Sequence, residues 1–264
     1  MMPSPGCHVL RNARGMRVMV NAVDASLAAW WAPDRYGRQA DVLATLAAAP
    51  AQSASPVSWQ CEAAGENTLA LRLARDGLCV RLRYRLEEDG ALRIDCEAVA
   101  IAAARVNLAA PSFNLYGGGG VGDHVLRLAA DRYLAPASAS VVAEVAAEVA
   151  GSAFDFRQAA PLGARLAWPG VRAAGVQGFN HGFCLRGDGL LHEAARVADP
   201  ASGRELRFFT TQPQLHLHSD ASRFCLASQV LDVPSGAPAH HTVIYRLGLQ
   251  DIDGFEISKK VSML

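Results

Sequence analysis

TLALRLARDGLCVRLRYRLEEDGALRIDCEAVA, residues 68–100, alternates apolar with polar side chains along most of its length. Leu69, Leu71 and Leu73 form one apolar set, Leu78, Val80, Leu82, Tyr84 and Leu86 a second, and Leu92, Ile94 and Cys96 a third. A period of two buries one face of a strand. The breaks fall at Asp76-Gly77 and Asp89-Gly90, dipeptides that tolerate the positive φ of tight hairpin turns. The stretch therefore predicts a three-stranded antiparallel meander.

Outward from this meander the same signals recur. In ARVADPASGRELRFFTTQ (195–212), Asp199, Pro200, Ser202 and Gly203 form a turn, and Leu206, Phe208 and Thr210 alternate in the return strand. QLHLH continues as a further strand, and TVIYRLGL (242–249), rich in β-branched and aromatic residues, reads as the last. DASLAAWW, ADVLATLAAA and SVVAEVAAEVAG contain good helix formers, most concentrated at Ser140 to Val149, but no α/β alternation accompanies them, so at most short helical turns are expected. Ala47 to Pro56 reads as a loop. Strand after strand with turn signals predicts an all-β fold, a large antiparallel β-sandwich. The expected division is an N-terminal extension over 1–14, one sandwich domain over 15–250 and a polar tail over 251–264.

Composition narrows the partners. The 264 residues are 51% hydrophobic and 19% charged with a net charge of zero, which argues against disorder and against a basic nucleic-acid footprint. No run reaches the roughly 18 apolar residues of a membrane span. The start, MMPSPGCHVLRNARG, lacks the apolar core of a secretory signal, so a cytoplasmic location is expected. Cys7, Cys61, Cys79, Cys96, Cys184 and Cys225 include no CxxC pair and read as reduced, mostly buried thiols.

Six segments resemble, in order, those of the aldose 1-epimerase family. They are VNLAAPSFNL (106–115), GDHVLRLAADRYLAP (122–136), SAFDFR (152–157), GFNHGFCL (178–185), ARVADPASGREL (195–206) and FTTQP (209–213). Weaker similarity covers 16–43 and HHTVIYRL. Any one string is weak evidence, but six in family order are hard to obtain by chance. The resemblance implies a galactose mutarotase-like supersandwich and a small-molecule sugar partner; no cofactor and a monomer or homodimer are expected. It also implies interconversion of α and β anomers, in which a base takes the anomeric hydroxyl proton while an acid protonates the ring oxygen.

By that resemblance His181 stands at the family's acid, with Asn180 where an Asp is usual and Gly182 where an Asn is usual. The other positions depart from the family. Ala109, Ala110 and Pro111 replace Thr-Asn-His, no Arg lies between Leu46 and Trp59, and Ala237 or Pro238 replaces the basic Glu. Asp232 is the nearest candidate for a sugar-binding Asp. Phe113 and Trp168 lie near family cleft segments, whereas an aromatic in a sandwich is more often core. His216 and His218, two apart, project from one strand face as sugar contacts or a replacement base, or as a merely solvated face. A His-x-His pair also suits zinc, but no third ligand is evident and no metal is expected. His240 and His241 point to opposite faces, His241 in a structural role. Gly117 to Gly120 leads into a strand, not a helix, and so lacks a phosphate cradle's geometry. No Gly-x-Ser-x-Gly supports a hydrolase triad. Two functions follow: an anomer-interconverting enzyme working through His181, or a carbohydrate-binding relative that has lost its acid-base pair.

Overall fold

The computed structural model describes residues 6–44, 59–135, 145–169, 171, 178–228 and 230–250. Strands β1 (Cys7–Arg11), β2 (Arg17–Asn21), β3 (Ser26–Pro33) and β4 (Gln39–Asp41) form a four-stranded antiparallel sheet in chain order. Next come β5 (Gln60–Ala64), β6 (Thr68–Arg75), β7 (Leu78–Leu86) and β8 (Ala91–Ala100). The shorter β9 (Ala104–Asn107), β10 (Ser112–Phe113), β11 (Val125–Leu128), β12 (Ala130–Ala135), β13 (Val145–Glu148) and β14 (Ala160–Pro161) lead to a one-turn helix, α1 (Leu162–Leu166). Beyond it run β15 (Asn180–Leu185), β16 (His192–Ala198), β17 (Arg204–Thr210), β18 (Gln214–Ser219), β19 (Phe224–Ala227), β20 (Val230–Val233) and β21 (Ala239–Leu249).

Nine of these strands form the largest sheet, in the order β14-β11-β16-β17-β21-β8-β7-β6-β5. Six form a second sheet, β10-β19-β18-β15-β12-β13, and β9 pairs with β20 alone. The meander sets the frame of the large sheet. Asp76 and Gly77 take φ of 49° and 78° at the first turn, and Gly90 takes 83° at the second. Leu82 lies opposite both Leu71 and Cys96. Val80, Leu82, Tyr84 and Leu86 turn inward and are buried, while Arg83 and Arg85 face solvent. This is the alternation that one water-facing and one core-facing side require.

The inner face of the nine-stranded sheet is covered by the two other sheets. The Tyr84 hydroxyl donates to the Ala25 carbonyl beside β3 at 2.6 Å. Phe113 of β10 packs on Tyr245 of β21 at 5.5 Å between ring centroids, and the Tyr245 hydroxyl donates to Leu226 O of β19 at 3.2 Å. The result is the all-β antiparallel sandwich expected from the sequence.

The second hairpin forms between β16 and β17, its turn closed by bonds from Asp199 N to Arg204 O and from Gly203 N to Asp199 O. The final strand starts three residues before Thr242. Several expectations need correction. Val145–Glu148 is a strand, in register with β12 from Arg132↔Glu148 to Ala135↔Val145, because cross-strand pairing outweighs the helix preference of its alanines. DASLAAWW likewise falls largely in β3. Cys7–Arg11, within the stretch read as an extension, pairs with β2 and belongs to the sheet. The six cysteines are unpaired, but only Cys96 and Cys225 are buried, and Cys61 is exposed. The loop at Ala47 to Pro56 and the tail at 251–264 lie outside the described residues.

Candidate functional site

The six-stranded sheet carries the histidines that the sequence singles out. Strands β15 and β18 pair with Asn180↔His218, His181↔Leu217 and Gly182↔His216. Directly opposed residues of an antiparallel pair share a face, and faces alternate along a strand. His181 therefore belongs to the face that Phe183 and Leu185 turn to the core, and Asn180, His216 and His218 belong to the outer face, where all three are exposed.

His181 sits half-buried at the start of β15 in an aromatic cradle. The Phe154 ring lies 4.4 Å from the imidazole and the Tyr133 ring 6.2 Å, with Tyr133 and Phe154 stacked on each other at 4.3 Å. The backbone here must pass close by. A Cβ on Gly178 would lie 1.8 Å from the Ser219 carbonyl oxygen, and one on Gly182 would lie 2.8 Å from Leu134 Cδ1, so both positions hold glycine for space. The Asn180 N–H donates to His181 Nδ1 at 3.2 Å, which puts the neutral ring's proton on Nε2 and leaves that atom to meet a ligand. Burial, helped by the positive charge His216 carries when protonated, lowers the His181 pKa below its ordinary value.

On the outer face His216 Nε2 donates to Asn180 Oδ1 at 2.7 Å. The structure thus brings Asn180 and His216 together, with His218 opposite Asn180, and sets them across the sheet from His181. Asp232 is elsewhere. It lies on β20 opposite Arg105 of β9, and its carboxylate accepts from Arg105 Nε at 2.7 Å, both side chains exposed.

Phe113, read as a sugar contact, is instead fully buried among Trp30, Phe224 and Tyr245, so it presents no face to a ligand. The physical reason is its position: β10 is the strand through which the six-stranded sheet meets the large one. Trp168 is 38% exposed beneath the Arg165 guanidinium. His241 is buried against Thr211, with Nδ1 3.1 Å from its hydroxyl, and His240 on the opposite face is exposed. Among the described residues no group of three His, Cys, Asp or Glu is placed to hold a metal ion. Nor is any helix there long and apolar enough to cross a membrane.

Two residues of the cradle, Tyr133 and Phe154, were not singled out from the sequence. Both lie within segments that carry the family resemblance, DRYL and SAFDFR, and that was the signal available. Three described arginines near the cradle are engaged: Arg186 and Arg157 pair with Asp131, Arg157 also with Asp155 at 2.7 Å, and Arg132 with Glu148 at 3.4 Å.

Comparison with known proteins bears on this arrangement. The family model described as aldose 1-epimerase matches residues 51–235. The galactose mutarotase of Homo sapiens is 34% identical over 173 residues, 62% of this chain and 49% of that protein. The aldose 1-epimerase of Escherichia coli (strain K12) is 33% identical over 143 residues, 52% of this chain and 40% of that protein. The matched part of the chain thus spans half or less of the length of these relatives. Among solved structures, an aldose epimerase homologue from C. elegans superposes with a TM-score of 0.73 at 13% identity, covering 93% of this chain and 99% of that one. Galactose 1-epimerase from Lactobacillus acidophilus NCFM gives 0.68 at 19% identity, covering 92% and 94%. At such identities the structures speak to the fold, and the family match over most of the chain carries the assignment: this chain belongs to the aldose 1-epimerase family.

Proposed function

We propose that the protein binds an aldose at the His181 end of the six-stranded sheet and promotes interconversion of its α and β anomers, with His181 handling the proton at the ring oxygen. The observation that supports this is the half-buried imidazole in the Phe154–Tyr133 cradle, with Nδ1 occupied by a backbone N–H and Nε2 left for the sugar. Aromatic faces bury the C–H face of a pyranose while the imidazole meets its oxygen. In the reaction the anomeric hydroxyl loses its proton, the ring oxygen gains one, the C1–O5 bond breaks, and the aldehyde turns before the ring recloses.

A neutral Nε2–H is a weak acid, and accepting at Nδ1 opposes the second protonation that would strengthen it. The rate should therefore lie well below that of a site with a full acid-base pair, since a positioned base or acid is worth about 10² to 10⁴-fold. Among the described residues, Arg132, Arg157 and Arg186 beside the cradle are each paired with a carboxylate, which supports an unphosphorylated sugar.

A second reading, binding without turnover, is favoured by one specific observation. His216, His218 and Asp232, the residues able to replace the family base, lie on the other sheet face or in the β9–β20 ladder. Polarimetry of α-glucose and α-galactose, wild type against His181→Ala, tests both readings. Acceleration that falls at least tenfold in the variant supports the first. Because the His181 pKa is lowered, the His181-dependent rate should rise as pH falls through and below the ordinary histidine value of about 6.5. Saturable sugar binding with no acceleration would support the second, and neither binding nor acceleration would overturn both.

A further inference from the structure

The start of β15 holds His181 by a bond that the sheet ladder does not supply. Ser219 N donates to Phe179 O at 2.8 Å, so Phe179 and, two residues on, His181 turn their backbone groups toward β18. Asn180 between them turns its N–H the other way, toward β12, whose ladder with β15 ends among the described residues at Leu134↔Gly182. Beyond the end of that ladder the N–H donates to His181 Nδ1 instead, at 3.2 Å.

On the outer face the Asn180 side chain is tied down. His216 Nε2 donates to Asn180 Oδ1 at 2.7 Å, the short end of the range for such bonds. Gly182 stands directly opposite His216 and carries no side chain, which leaves the imidazole room to reach Asn180 along the strand. The planar peptide that carries the Asn180 N–H is thus held at one end by Phe179 O on Ser219 N and at the other by the Asn180 side chain on His216.

We propose that His216 is a positioning residue for His181, acting through Asn180: from the outer face it holds the peptide that occupies Nδ1, and so keeps Nε2 presented to the ligand. This role rests on the reading of His181 as the group that handles the sugar's proton. The same link carries charge. Burial lowers the His181 pKa, and the positive charge of protonated His216 lowers it further. Among the described residues, the other titratable side chains that share the face of His216 by register are His218 on β18, Cys184 on β15, Cys225 on β19 and Arg132 on β12. Arg132 is paired with Glu148 of β13, and Tyr133 of β12 faces His181. A neutral residue at 216 therefore raises the His181 pKa, and loss of the anchor raises it more, because Nδ1 without a donor is freer to take a proton.

The test follows the His181 ring of the full chain by NMR titration in wild type, His216→Gln and His216→Ala. Gln keeps a donor for Asn180 Oδ1 and removes the charge, whereas Ala removes both. The His181 pKa should rise by about half a unit in His216→Gln and by about one unit in His216→Ala. His218→Gln, which takes away a neighbouring histidine but not the bond to Asn180, should leave it in place. In polarimetry the rise of the His181-dependent rate at low pH should move to higher pH by the same amounts. If the chain does not mutarotate, the NMR series still decides, so failure of the sugar reading and failure of the positioning role are separate results. An unmoved His181 titration in both His216 variants, equal shifts in the two, or an equal shift in His218→Gln would overturn the positioning role.

Discussion

The nine-stranded and six-stranded sheets are built from the same polar–apolar alternation but differ in what interrupts it. In the large sheet, β6, β7, β8 and β21 run for eight to eleven residues, and the registers β6–β7, β7–β8 and β8–β21 are unbroken. Among the described residues no strand of the smaller sheet exceeds six residues, β12 carries a register shift between Ala130 and Arg132, as β16–β17 and β5–β6 do elsewhere in the large sheet, and Gly178 and Gly182 stand where a side chain would collide. Long regular ladders bury one continuous apolar face and hold the fold. Short strands with glycines let the backbone pass closely and leave room for an imidazole among aromatic rings. The long ladders lie in one sheet and the candidate chemistry in the other.

The largest expected effect falls where the two sheets join. Tyr245→Ala removes a ring packed on Phe113 and Phe208 and leaves Leu226 O without its hydroxyl donor. Such a truncation costs about 3–5 kcal/mol of stability by chemical denaturation. A loss below about 1 kcal/mol would mean that the sheets do not depend on this contact.

A smaller effect separates the sheets by pH. His241 is held neutral in the large sheet, so between its folded pKa of about 4 and the ordinary 6.5 the unfolded chain binds more protons. Stability should therefore be insensitive to this group above pH 7 and fall as pH drops, by roughly 2 kcal/mol between pH 6.5 and 5, at about 1.4 kcal/mol per unit. His124 is also buried with its pKa lowered and adds in the same direction. His241→Asn should flatten the profile over this window, measured by urea unfolding at successive pH values. An unchanged slope would assign the acid sensitivity to other groups.

The smallest effect sharpens the chemical side. Asn180→Asp places a carboxylate beside His181 and the Nε2 of His216, and should move the His181 pKa upward, read by NMR titration of the ring, with a few-fold gain in mutarotation at pH 7. An unmoved titration would show that the sheet between the two faces insulates them.

The meander at 68–100, the hairpin around Asp199–Gly203 and the strand QLHLH were all legible because period-two alternation and turn dipeptides are local signals. Val145–Glu148 was not, since an alanine-rich run becomes a strand only when a partner such as β12 supplies the hydrogen bonds. His181 was found through its motif, and the shared face of His216 and His218 followed from their spacing, while the structure decided that this face is the outer one. That His181 points the other way could not be read from either string, because the register of β15 against β18 joins segments about 35 residues apart.

The sequence by itself determined the sandwich and its family, because these depend on residue identity and short-range pattern. The tertiary structure alone decided that Phe113 is core, that Asp232 is held by Arg105, and that the histidines divide between two faces. Each of these depends on which distant strands meet and in what register, and on how completely their side chains fill the space between the sheets, quantities that local alternation leaves open.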